Sequence, residues 1–214
     1  VARAYVLYRE QRAKQRYKTA KLNEQVGAKV STMAVTKRDG NKEDISLAKI
    51  TNRISVLSNG LEIDPITIAQ KAIQGLYDGI TTNEIDTYLA ETAAALTVEH
   101  PDYSYLAGRI KANALHKETP GFIIATKNLF EDGLLREEYY QKAMAHAEDI
   151  EKIIDYDRDY LFDYFALTTL FRAYLLQFNN KTIERPQDLW MRVALCVSGD
   201  KFDFYQVKKT YDSL

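Results

Sequence analysis

A single cysteine, Cys196, stands among 214 residues, so no intrachain disulfide can form, and three scattered histidines cannot complete a Cys/His zinc cluster with it. No apolar run approaches the roughly 18 residues of a membrane span, and no signal-peptide pattern is present. A predominance of one charge is missing too. Lys and Arg number 29 against 30 Asp and Glu, a formal net charge of −1, which removes the bulk electrostatic case for nucleic acid or an anionic membrane. The Gly-Lys-Ser/Thr signature of a P-loop is absent, which excludes that class of NTPase. These absences point to a reducing cytoplasm and to neither membrane nor nucleic acid as partner. Helix breakers are scarce, with four prolines and nine glycines. What fills the chain instead is 46% hydrophobic and 28% charged residues, in 24.6 kDa, enough for one large domain or two small ones that are mostly helical.

The punctuation divides the chain. Val1 to Gln15 reads as the body of a helix, with Val1, Tyr5 and Tyr8 on one face, followed by a basic stretch from Arg9 to Lys21 that suits a helix end and a solvated linker. Met33 to Asp44 alternates around Arg38-Asp39-Gly40 as a short hairpin. Ser46 is placed to cap a helix with Leu47, Ile50, Ile54 and Leu57 inward, ending near Gly60. Asp64-Pro65 opens a second helix, with Ile66, Ala69, Ile73 and Leu76 inward, stopped at Asp78-Gly79. Thr81 and Glu84 form a capping box for a third, and Pro101-Asp102 opens a fourth, with Tyr103, Leu106, Ile110 and Ala114 inward. The predicted fold is mainly α with a small β-hairpin: a four-helix cluster capped by the hairpin over residues 33–121, then an all-helical region over 122–214. In the latter, one long amphipathic pattern covers Leu135 to Ile154 and another Asp163 to Leu176. Phe178 to Ile183 reads as a tight turn between extended pieces, Pro186 opens a helix, and Asp203 to Leu214 is helical. Both ends break off within helical pattern, the expectation for a fragment of a longer protein.

Several residues carry chemistry. Lys37 and Arg38 sit together beside a Gly turn, Lys49 lies in the first turn of the next helix, and Lys117 ends the fourth. Cations from separate elements plus a helix N-terminus are the parts that hold a polyphosphate, although a Lys-Arg pair at a hairpin also serves as a solvated edge. Asp155, Asp157 and Asp159 alternate around Arg158, but without the Gly and Glu of a calcium loop they read as a capped, salt-bridged helix start. His116 reads as a helix cap, Cys196 as a buried small hydrophobe, and Tyr160, Phe162, Tyr164 and Phe165 as core.

Met33-Ala-Val-Thr-Lys-Arg-Asp-Gly-Asn-Lys-Glu43, Ala48-Lys49-Ile50, Gly75 to Thr82, and Tyr105 to Ile110 resemble the ATP-cone, the regulatory nucleotide-binding domain of ribonucleotide reductases. Asp155 to Tyr160, Thr169 to Leu176, Glu184-Arg-Pro-Gln and Trp190-Met-Arg-Val-Ala resemble the helical region after the cone in the large subunit of the class I enzyme. Val1 to Glu10 is similar to the last helix of another cone. The implied layout is residues 1–32 as that helix plus a basic linker, 33–121 as a complete cone, and 122–214 as the start of the catalytic subunit.

The resemblance implies ATP as activating and dATP as inhibiting effector, with Mg2+. Lys37, Arg38, Lys49 and Lys117 would face the phosphates, and Glu43 would accept from the adenine amino group. The segment Glu43, Asp44, Ile45, Ser46, Leu47, Ala48 and Lys49 would wrap the base, with Thr82 and Asp86 at base and sugar. It implies a parent that reduces ribonucleoside diphosphates through a thiyl radical, with a radical-generating small subunit and a homo-oligomer of large subunits as partners. The cysteines of that chemistry find no match here. Alternative homes for a cone are a transcriptional repressor of reductase genes, whose four-cysteine zinc ribbon is absent here, and the anaerobic reductase.

Overall fold

The computed structural model describes residues 33–179, 181–199 and 201–214, together with Tyr17. The helix expected over Val1 to Gln15 and the basic stretch after it lie outside these residues. The chain divides after Ile110 into two compact units.

In the first unit, β1 (Ala34–Thr36) pairs antiparallel with β2 (Lys42–Asp44), Val35 opposite Glu43. Gly40 takes a φ of 83° at the turn, a conformation glycine adopts without strain, while the Asp39 carboxylate accepts the Asn41 N–H at 3.0 Å. The free edge of β1 is then taken by a segment over forty residues away. Gly79 donates to the Ala34 carbonyl at 2.8 Å, Thr36 to the Ile80 carbonyl at 2.9 Å, and Ala34 to the Asp78 carboxylate at 2.7 Å. A three-residue strand is thereby flanked on both sides, and the segment 78–81 delivers the next helix beside the hairpin turn.

Helix α1 (Leu47–Leu57) starts at Ser46, whose hydroxyl accepts the Lys49 N–H at 3.3 Å. At its far end the Arg109 guanidinium donates to the carbonyls of Leu57 and Asn59 at 2.9 and 2.8 Å, satisfying acceptors that a helix end leaves open. Helix α2 (Pro65–Ile73) is capped by Asp64 and ends before Asp78-Gly79, although Leu76 beyond it stays buried. Helix α3 (Thr82–Ala95) opens with the expected Thr81–Glu84 capping box and runs into a 3-10 turn, Leu96–Val98. Helix α4 spans Asp102–Glu118, and the division between the units falls within it. Helices α1 and α2 pack together, as do α2 and α3. Ile54, Ile68, Leu89 and Leu106 are fully buried between them. Ile50, Ile73 and Ala114, expected inward, are only half-buried, because the buried stripes centre one residue away, on Thr51, Ala72 and Leu115.

The second unit holds α5 (Phe122–Glu131), α6 (Glu137–Ala145), α7 (Ala147–Ile153), a 3-10 stretch (Tyr156–Leu161), α8 (Tyr164–Ala173), α9 (Pro186–Val197) and α10 (Phe204–Ser213). It is not wholly helical. β3 (Gln177–Phe178) and β4 (Lys181–Thr182) pair antiparallel, and Asn179 takes the positive φ of 49° at their turn. The single long helix expected over Leu135 to Ile154 is two, broken where His146 leaves helical geometry and its ring stacks on Phe202 at 4.1 Å. Phe122, Ile150, Met191, Leu195, Val207 and Tyr211 form one core cluster, and Leu115, Leu167 and Leu189 belong to a second.

Tyr160 and Phe162 pack on that second cluster, and the ring of Tyr164 lies 5.1 Å from the Lys111 ammonium, but Phe165 is 78% exposed on the outer face of α8. Cys196 is likewise exposed, on the solvent side of α9 beside Leu195, which takes the core position. His116 caps no helix. Its Nε2 meets the buried Asp159 carboxylate at 2.6 Å, while the open carbonyls at the end of α4 are taken by Arg185, at 3.2 Å from His116 O and 2.6 Å from Thr119 O. Asp155 caps the 3-10 stretch by accepting from the Asp157 N–H at 3.1 Å, and Arg158 pairs with Asp212 at 2.7 Å. Among the described residues no helix is long and apolar enough to cross a membrane.

Candidate functional site

The hairpin turn, the start of α1 and the start of α3 bring two groups of charged side chains together. In the first, Glu43 at the middle of β2 accepts from the ammonium groups of both Lys37 and Lys49. Lys37 directly follows β1 and Lys49 is the third residue of α1, so the capped helix start places its lysine over the strand. These two lysines hold the Glu43 carboxyl down at about 2, hydrogen bonding to Lys37 being the largest cause, and Glu43 holds the Lys37 ammonium above its ordinary value.

In the second group, Asp86 on α3 is buried and receives two guanidinium groups. Arg38 Nη2, from the turn, meets Oδ2 at 3.0 Å, and Arg53 Nη1, from α1, meets Oδ1. One turn before Asp86, Thr82 Oγ1 is buried with no hydrogen-bond partner among the described residues. An orphaned hydroxyl beside a paired carboxylate is a place where a ligand's polar group completes the bonding.

The other expected residues divide. Asp44 ends β2 exposed, Ser46 is spent on its cap, and Ala48 and Lys49 face solvent. Ile45 and Leu47 turn inward at 7% exposure each, so between Glu43 and Lys49 the surface alternates with the core. Lys117 lies exposed in the last turn of α4, within the second unit. Arg53 is the residue that sequence reasoning missed. Its spacing of four from Lys49 puts it on the same face of α1, a usable signal, but its carboxylate partner is 33 positions away.

Four cations, Lys37, Arg38, Lys49 and Arg53, surround two carboxylates here, and the N-termini of α1 and α3 add their partial positive charge. Such a surface suits a polyanion with hydrogen-bonding groups attached. A separate hollow of about 330 Å³ runs along another face of α3 beside Tyr77, Glu84 and Tyr88, and none of the candidate residues lines it. There Glu84 is already engaged by Tyr77 and Thr81, at 2.9 and 2.7 Å.

A hairpin whose basic turn faces the starts of two helices defines the class: residues 33–118 match the ATP cone domain. Residues 160–214 match the ribonucleotide reductase all-alpha domain. The chain belongs to the ribonucleotide reductase large-subunit family, as a member that carries an ATP cone. It is 41% identical over 202 residues to the ribonucleoside-diphosphate reductase large subunit of Dictyostelium discoideum, covering 87% of this chain and 23% of that protein. Against the large subunit of Arabidopsis thaliana the identity is 41% over 192 residues, 84% of this chain and 23% of the relative. Large chain 2 of Saccharomyces cerevisiae is 42% identical over 193 residues, 84% and 22% respectively. The chain thus spans less than a quarter of the length of these relatives.

Proposed function

We propose that the first unit binds ATP and dATP as effectors and regulates ribonucleoside-diphosphate reduction by the large subunit to which it belongs. The observation that carries this is the pairing of Lys37, Lys49, Arg38 and Arg53 with two carboxylates at the mouths of α1 and α3. Glu43 and Asp86 pair with Lys37, Lys49 and Arg38, cations that a triphosphate would engage. With a nucleotide bound, Glu43 accepts from the adenine amino group and repels a guanine carbonyl, and Thr82 and Asp86 face base and sugar. Lys117 is proposed as a further phosphate contact. Among the described residues, Lys37, Arg38, Lys49, Arg53 and Lys117 against Glu43 and Asp86 leave a surplus of three positive charges, still less than the charge of a triphosphate, so Mg2+ on the phosphates fits the balance.

The cone is proposed as residues 33–121, with 122–214 leading into the catalytic part. Reduction by the parent is expected to use a thiyl radical, a radical-generating small subunit and cysteines outside these 214 residues. With one cysteine, this chain holds no dithiol to supply two electrons and is expected to turn over no nucleotide. The deciding experiment is calorimetric titration of the chain with ATP, dATP and GTP. Binding of both adenine nucleotides, with GTP at least about tenfold weaker, is expected, that ratio corresponding to one well-placed hydrogen bond. Absence of binding by ATP and dATP would refute the reading.

A further inference from the structure

Asp86 is 3% exposed, and a carboxylate withdrawn from water is costly unless a cation and hydrogen bonds compensate it. Its two guanidinium partners differ in how they are held. Arg53 is rooted in the middle of α1, between Lys49 and Leu57, and only 23% of its side chain is exposed. Arg38 sits on the hairpin turn beside Lys37, with 32% of its side chain exposed. A carboxylate with two such partners can release one and remain paired, whereas with one partner it cannot. Phosphate, with more charge and more acceptor oxygens, competes well for a guanidinium whose carboxylate has a second cation.

We propose that Arg38 is exchanged from Asp86 onto the phosphates of a bound nucleotide, and that Arg53 is the positioning residue that keeps the Asp86 carboxylate in place once Arg38 has left. The inference rests on nucleotide binding at this site and deepens it. Binding the phosphates then changes what the sugar side meets, since Arg38 moves away from the Asp86 carboxylate while Arg53 keeps it. The orphaned Thr82 Oγ1, one turn before Asp86, supplies a further polar group toward the sugar. Phosphate charge and sugar chemistry are thereby linked through a single carboxylate.

The test is calorimetry on the 214-residue chain with two probes, ATP and inorganic tripolyphosphate, which has no sugar. Arg53→Met removes one of the two guanidinium groups that the described residues place on this buried charge, so both probes are expected to bind about tenfold more weakly. Asp86→Asn releases Arg38, so tripolyphosphate is expected to bind about threefold more tightly. In the D86N background, Arg53→Met should then change affinity by no more than about twofold, because the charge it compensates is gone. A purely structural role for Arg53 would carry the full loss into both backgrounds. An unchanged affinity for R53M, an equal loss in both backgrounds, or D86N binding tripolyphosphate no tighter would each overturn the exchange while leaving ATP binding intact. Should R53M lose its helical circular dichroism, D86N alone decides. Failure of the unsubstituted chain to bind ATP would instead refute the nucleotide site itself, and the exchange with it.

Discussion

Asp188, in the first turn of α9, is 1% exposed; it accepts from the Tyr156 hydroxyl at 2.7 Å and the Arg185 N–H at 3.0 Å. Burial outweighs both bonds and pushes its carboxyl up to about 6 from 3.8. The folded state therefore holds a proton that the unfolded chain has lost between these two values, so stability falls as pH rises through that window and levels off above it. On this basis the second unit is expected to lose on the order of 3 kcal/mol between pH 4 and pH 7 from this group. Buried Asp159, also raised by burial, works in the same direction. Denaturant unfolding across that range should show the slope, and Asp188→Asn should flatten it; an unchanged slope would remove Asp188 as its source. Glu43 behaves oppositely. Held at about 2 by Lys37 and Lys49, it stays ionised across the same window, and the hydrogen bonds it accepts are expected to persist. Glu43→Ala removes the proposed base discriminator and releases two lysines, so the ratio of ATP to GTP affinity should fall about 3- to 10-fold. Calorimetry with both nucleotides reads it directly, and an unaltered ratio would exclude Glu43 from base recognition.

The elements of the cone owe their positions to caps. Thr81 and Glu84 satisfy each other's backbone at the start of α3, with the Thr81 N–H to Glu84 at 2.8 Å and the Glu84 N–H to Thr81 at 3.2 Å. Thr81→Ala is expected to cost about 1 kcal/mol and to loosen the turn that carries Thr82 and Asp86, which thermal melting and ATP titration would report together. These caps were legible in the sequence because each is a local pattern: Ser46 and Asp64 before apolar periodicity, Thr81 three residues before Glu84, Pro186 at a first turn. The hairpin was legible for the same reason, its turn residues lying next to each other. The flank of β1 by 78–81 was not, since its bonds join residues whose separation leaves no periodic trace. Arg53 was overlooked likewise: its position on α1 can be read, but its meeting with Asp86 exists only after folding. Sequence periodicity also ran through His146 unbroken, because residues on both sides keep helical spacing while the His146 backbone departs from it. At Cys196 and Phe165, apolar character suggested burial where Leu195 and Leu167 occupy the interior.

At the scale of the whole molecule, the proposed effect of a nucleotide is on assembly. Ligands shift only those equilibria whose states they bind unequally, and ATP and dATP differ by one 2′-hydroxyl. A contact that small becomes regulatory when many copies are read together, which is why dATP, more than ATP, is expected to drive the full-length large subunit into a larger and less active homo-oligomer. Light scattering of that subunit with ATP, with dATP and with neither is the measurement. Equal masses in all three would dismiss self-assembly of large subunits as the route, and a mechanism that depends on the radical-generating small subunit would then need a separate test.

The double flanking of β1 also gives the protein a built-in clock. The amides of Thr36 and Gly79 are bonded across the join between hairpin and α3, whereas those of Lys37 and Ile45 are bonded within the hairpin, to Asn41 at 2.8 Å and Met33 at 2.9 Å. Deuterium uptake at the first pair therefore times the separation of the two pieces, and uptake at the second times fraying of the hairpin alone. An effector that fastens the hairpin turn to the start of α3 slows the first pair more than the second.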